Sequence, residues 1–176
     1  MPQTLLALFA LVLLSTVALG QQRHAATLDR GAEEREFELA GTDLARAWLA
    51  AVTERAFDEA DIGRAGLRFT TDSLTVTADF GPDLGETSPA TYDDVDDFDG
   101  FALADSVAWD AGFLPFDVSI AVRYVSATSP DVVAGSPTLA KEIAVTIQER
   151  SPNLQERRPV SGTLRAIVSP TAQRGF

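Results

Sequence analysis

The sequence predicts an α+β fold in which a long N-terminal α-helix, apolar in its first half and amphipathic in its second, packs on a four-stranded antiparallel β-sheet. Three observations carry this expectation. Residues 4–20, "TLLALFALVLLSTVALG", contain no charged residue. Residues 21–60 contain no proline and are rich in the helix formers Ala, Leu, Glu and Arg. After Gly63 the apolar period changes from near 3.6 to 2.

The first element is the apolar helix, residues 1–20. Seventeen uncharged residues at ~1.5 Å of rise give roughly 26 Å, a little under a bilayer core of ~30 Å. As a secretory signal the segment has a small-residue cleavage point, "ALG" before Gln21, but lacks the positive n-region such signals carry. As a membrane anchor it is short and is followed by Arg23, Arg30 and Arg35 diluted by acids. As a retained helix, its stripe of Leu5, Leu6, Leu8, Phe9, Val12 and Leu13 needs apolar cover that one small domain does not supply.

The second element is the amphipathic helix, residues 21–62. A stripe recurs at spacings of three and four, Leu28 and Ala32, then Phe37, Ala40, Leu44, Ala47 and Trp48, and Ala51, opposite Glu33, Glu34, Glu38, Asp43 and Arg46. Gly31 and Gly41 each cost about 1 kcal/mol against Ala in a helix interior, so a close neighbour or a soft helix is expected there. Gly63 ends the helix.

The head, residues 63–176, takes its strands from strict alternation. "SLTVTADF" (73–80), "FDVSIAVRYV" (116–125), "EIAVTIQE" (142–149) and "VSGTLRAIVS" (160–169) each place apolar residues on one face. Four such strands need a lid. Leu44, Trp48 and Phe57 on the second half of the helix are the residues expected to provide it by packing on the sheet. The longest connection, an acidic loop at 81–115, carries five aspartates among residues 93–99.

Composition removes several function classes. The net charge is −12 and the only lysine among 14 basic residues is Lys141, so a nucleic acid would be repelled. Without cysteine there is no disulfide, zinc-thiolate site, iron–sulfur cluster or thiol nucleophile. The single histidine, His24, has no Ser or Asp partner at a triad's spacing and reads as a helix-surface residue. "GAEEREFELAG" lacks the Lys and the preceding strand of a phosphate loop. No catalytic residue, cofactor site or metal set is therefore assigned, and the chain is not read as an enzyme.

The arrangement resembles type IV pilins and pseudopilins. "LAAVTERAFDEADIG" (49–63) is similar to the helix end of minor pilins of the mannose-sensitive haemagglutinin type, and "YDDVDDFDGF" (92–101) to their acidic turn. The resemblance implies a pilin-like head and a structural subunit of an extracellular helical filament. Its partners would be copies of itself, a membrane before assembly and the pilus assembly machinery. Two departures stand out. The family's leader does not precede Met1, as expected if Met1 is the mature N-terminus, and the glutamate usual at the fifth mature position is Leu5. By analogy with family filaments, Ser15, Thr16 and Gly20 mark an expected break or stretch of helix near Ser15 to Gln22. The alternatives are a membrane-anchored monomeric surface or periplasmic binding domain, and a pseudopilin of a secretion system.

The acidic stretch is the remaining candidate site. Setting Gly100 at the sixth position of an EF-hand loop puts Asp97 and Asp99 correctly but leaves Val95 first and Ser106 twelfth. Asp93, Asp94, Asp96 and Asp105 remain available to an irregular calcium site. The larger expectation is a turn with Tyr92, Val95, Phe98 and Phe101 facing inward while the aspartates stay wet. Paired-carboxylate glycosidase chemistry is set aside, because five crowded acids repel one another and lack the opposed geometry it needs.

Overall fold

The computed structural model describes the backbone of residues 2–64, 66–109, 112–150 and 159–170, with side-chain surroundings given outside 2–8, 10, 23–30 and 33. Its elements are helix α1 (Pro2–Thr53), strands β1 (Ala102–Trp109), β2 (Gly112–Tyr124), β3 (Lys141–Glu149) and β4 (Ser161–Val168), and three short 3₁₀ turns. The fold is α+β with a four-stranded antiparallel sheet in the order β1-β2-β3-β4. Two compact units divide the chain, Met1–Leu39 and Ala40–Phe176.

Within the first unit the described backbone is helical throughout. The break expected between Ser15 and Gln22 is absent from this single chain. Ser15 Oγ donates to the Leu11 carbonyl at 2.8 Å and Thr16 Oγ1 to the Leu13 carbonyl at 2.8 Å. Both hydroxyls are thus satisfied by the preceding turn without opening it.

In the second unit α1 lies on the sheet. Its buried positions are Gly41, Ala45 and Val52, with Leu44 and Trp48 half-buried beside them and Ala47 exposed. At Gly41 the approach is so close that an added Cβ would stand 2.8 Å from Ile147 Cδ1, 3.1 Å from Val160 Cγ1 and 3.2 Å from Phe116 Cε1. A glycine interrupts the helix-forming composition here because a sheet occupies the space of its side chain. Nothing lies within 4 Å of the equivalent position at Gly31.

The helix stops at Thr53, ahead of the expected residue 62. The reason is a competing partner: Ala56 N–H donates to the Asp93 carbonyl at 3.1 Å, and Val95 N–H to the Ala56 carbonyl at 3.0 Å. Bonds that would have continued the helix go to the acidic segment instead. Gly63 does adopt a left-handed conformation, φ 67°, but in the turn after a 3₁₀ segment at Glu59–Asp61.

Two expectations about the sheet are corrected. Residues 73–80 are not a strand. Their backbone closes on itself, Leu74 N–H to the Thr71 carbonyl and Asp79 N–H to the Val76 carbonyl, around a 3₁₀ turn at Thr77–Asp79. Thr75 gives its N–H to Asp58 Oδ2 at 3.0 Å and its carbonyl accepts from the Tyr124 hydroxyl at 2.8 Å, so side chains take what a neighbouring strand would have taken. The fourth strand is β1, inside the expected loop 81–115. Leu103, Asp105, Val107 and Trp109 form its half-buried face while Ala102, Ala104, Ser106 and Ala108 are exposed. An aspartate on the inner face and alanines on the outer hide the alternation.

The core face of β2 is Leu114, Phe116, Val118, Ile120, Val122 and Tyr124, and that of β3 is Ile143, Val145 and Ile147, all buried. Phe57, Leu74 and Tyr124 extend this core past the end of the helix, with Phe80, Leu139 and Val168 packed against them.

Candidate functional site

Three sets of side chains bear on function: the apolar residues of the first unit, the acidic segment, and a buried lysine that the acidic segment encloses.

On the first unit Phe9, Leu11, Val12, Leu13, Leu14, Val17 and Leu19 are each between 51% and 74% exposed. Phe9, Val12 and Leu13 were singled out by sequence, whereas the side chains of Leu5, Leu6 and Leu8, like that of His24, lie outside the described residues. Among the described residues no helix is long and apolar enough to cross a membrane.

The acidic segment is a folded turn, and its aromatic residues point in as its sequence implies. Tyr92, Val95 and Phe98 are buried and Phe101 half-buried. Tyr92 meets Phe98 edge-on at 4.9 Å, and Phe101 stacks obliquely on Trp48 at 5.3 Å. Trp48 Nε1 also donates to Asp105 Oδ2 at 3.0 Å, which ties the helix to β1. Phe57, the third expected packing residue, belongs to the core cluster with Tyr124.

The aspartates do not all stay wet. Asp94, Asp96 and Asp97 are buried, Asp99 is half-buried and Asp93 alone of the five is exposed. Asp94, Asp97 and Asp99 accept backbone N–H groups, whereas Asp96 faces Lys141. Asp94 Oδ1 accepts from Asp96 and Asp97, Asp97 Oδ2 from Asp93 and Asp94, and Asp99 Oδ1 from Val122 on β2. Burial, reinforced by the neighbouring Asp96 charge, pushes the Asp94 carboxyl up to about 9. Burial also raises Asp96, against the opposing pull of Lys141. Asp94 is therefore a carboxylic acid at neutral pH.

The residues offered to calcium by sequence are dispersed by this fold. Asp94 and Asp96 turn inward and Asp105 serves Trp48, which leaves Asp93. It meets Glu86 and Asp97 instead, one oxygen from each lying within 4.8 Å of the others. Burial and the contact with Asp97 raise Glu86, with the Asp83 N–H opposing. Three oxygens are fewer than the about six to eight that calcium takes.

Enclosed behind the turn is Lys141, fully buried at the start of β3. Its Nζ donates to the Phe57 carbonyl at 2.6 Å and to Asp58 Oδ2 at 3.2 Å, and is in direct contact with Asp96 Oδ1. Three acceptors match the three protons of an ammonium. Aromatic rings complete the shell, with Nζ 4.7 Å from the Phe57 centroid and 5.2 Å from those of Phe80 and Tyr124. The Tyr124 hydroxyl lies 3.3 Å from Asp58 Oδ2, and its ionisation is pushed upward by burial and by the Asp58 charge.

Sequence reasoning missed this centre, though a signal existed. Lys141 precedes Ile143, Val145 and Ile147 on the same period-2 face, so the strand that predicts their burial predicts its burial too. No known protein family, curated protein or solved structure matches the chain.

Proposed function

We propose that the chain is a structural subunit of an extracellular pilin-like filament, assembled through its apolar N-terminal helix. The single observation that carries this reading is the run of exposed apolar side chains from Phe9 to Leu19 on a helix whose own unit offers them no cover. Water disfavours such a surface, and copies of the same helix can bury it mutually. A bundled helix burying on the order of 1,000 Å² gains about 25 kcal/mol before the entropy of association is charged against it. Filament contacts of this kind are heterologous and do not close, so one interface type propagates.

The pairing of a 52-residue helix with a four-stranded antiparallel head supports the pilin-like reading, as do the quoted helix-end and acidic-turn segments. On this reading the apolar helix waits in a membrane before assembly, and the acidic head faces solvent afterwards. The network of the acidic segment is structural: it stops α1, caps its own turn and neutralises Lys141.

Mechanical shearing of expressing cells, followed by centrifugation and electron microscopy, tests the proposal. Filament subunits pellet without detergent as regular fibres. An anchored monomer remains in the membrane fraction until detergent releases it, and that result would overturn the reading.

A further inference from the structure

Lys141 is placed for chemistry as well as for packing. A nitrogen touching Oδ1 of Asp96 is one bond removed from its Cγ, and the second carboxylate on the same nitrogen, Asp58, contacts it through Oδ2. Lys141 and Asp58 are wholly buried and Asp96 nearly so, within rings of Phe57, Phe80 and Tyr124. Such a pocket holds nucleophile, electrophile and proton carrier in fixed array while excluding the water that would reverse the reaction.

We propose that Lys141 and Asp96 condense to an intramolecular amide, with Asp58 carrying the proton. In the dry pocket the ion pair first neutralises, one proton passing from the Nζ ammonium to the Asp96 carboxylate. The free amine attacks Cγ of Asp96, forming the Nζ–Cγ bond and a tetrahedral centre with one O⁻ and one hydroxyl. Asp58 Oδ2 removes a proton from the now cationic nitrogen and returns it to that hydroxyl, which leaves as water as the carbonyl re-forms. One Cγ–O bond breaks, two ammonium protons depart in the water molecule, and Asp58 ends as the carboxylate it began as. No oxidant, reductant or activating group is consumed. The product replaces a buried charge pair, costly to desolvate, with a neutral amide whose N–H has Asp58 Oδ2 and the Phe57 carbonyl as ready acceptors.

The bond would join residues 45 apart in sequence in a chain that has no cysteine. It would lock the acidic turn to β3 covalently, doing what a disulfide does for the unfolded state. This inference rests on the packing of the second unit alone and stands or falls separately from the filament reading.

Mass spectrometry of the full chain, purified in detergent and kept folded at neutral pH, decides it. The expected intact mass is lower than that of the sequence by one water. Trypsin, which cuts after Arg68, Arg123 and Arg150, should leave Lys141 uncut and release 124–150 joined to 69–123. Lys141→Arg, which cannot form the bond, should keep the water, and Asp58→Asn should lower the crosslinked fraction at least tenfold if it folds. The proposal is overturned if folded wild-type protein has its full mass and is cut at Lys141. It is equally overturned if water is lost but 69–123 and 124–141 separate, which marks a succinimide at Asp99–Gly100 instead.

Discussion

Lys141 shows what one inward-facing charge demands of its surroundings. A lone buried ammonium is prohibitively costly, so the fold supplies Asp58, Asp96 and a carbonyl, and an aromatic wall around them. Removing the cation leaves its carboxylates unpaired, and Lys141→Met is expected to cost about 3–5 kcal/mol, read as a lowered urea midpoint. Asp94 makes a second, opposite demand. Its folded pKa of about 9 exceeds that of an exposed aspartate, so the folded state holds a proton that the unfolded state releases. Its stabilising contribution is complete below the unfolded value near pH 4 and is lost as pH rises through about 9. The melting temperature should therefore fall between pH 5 and 9. Asp94→Asn mimics the protonated acid and keeps the Oδ1 that accepts from Asp96 and Asp97, so it should fold and flatten that slope. An unchanged slope would locate the pH dependence elsewhere.

At the scale of elements, the two helix glycines make a controlled comparison. A Cβ at Gly41 would stand 2.8–3.2 Å from Ile147, Val160 and Phe116, tighter than ordinary packing, whereas Gly31 faces open space. Gly41→Val should destabilise the head by about 1–3 kcal/mol through overpacking, measured by thermal unfolding. Gly31→Ala should instead raise helicity in its own turn, worth up to about 1 kcal/mol, and slow amide exchange there. This difference was invisible in sequence, where both glycines break the same helical pattern. Strands β2, β3 and β4 were legible because each alternates cleanly between an apolar and a polar side. β1 was not, because Asp105 sits on its inner side to receive Trp48 and alanines occupy its outer side. Residues 73–80 alternate as well as any strand, yet Asp58 and Tyr124 claim the backbone of Thr75. Both errors come from side chains serving distant partners, which no local period records. The acidic segment was half legible for the same reason: its aromatic positions follow from hydrophobicity, while the burial of Asp94, Asp96 and Asp97 depends on unpaired N–H groups and on Lys141.

For the molecule as a whole, the head pairs its buried Lys141, Arg68 and Glu142 with opposite charges, while the first unit leaves the described apolar side chains from Phe9 to Leu19 uncovered. These are separable properties, because the exposed side chains from Phe9 to Leu19 belong to a different compact unit from the core that stabilises the sheet. A substitution confined to that helix should therefore change association without changing the fold of the head. Leu14, 74% exposed, is the sharpest place to put a charge. In an isolated chain Leu14→Glu replaces an exposed apolar group with a hydrated one and costs the head nothing. In a bundle of like helices it buries a carboxylate at every copy, a penalty of several kcal/mol per subunit multiplied along the fibre. Leu14→Glu should thus abolish the detergent-free pellet while leaving the head's unfolding midpoint in detergent unchanged. If the variant still forms fibres with normal yield, the apolar helix is not their core, and the driving surface must be sought on the head.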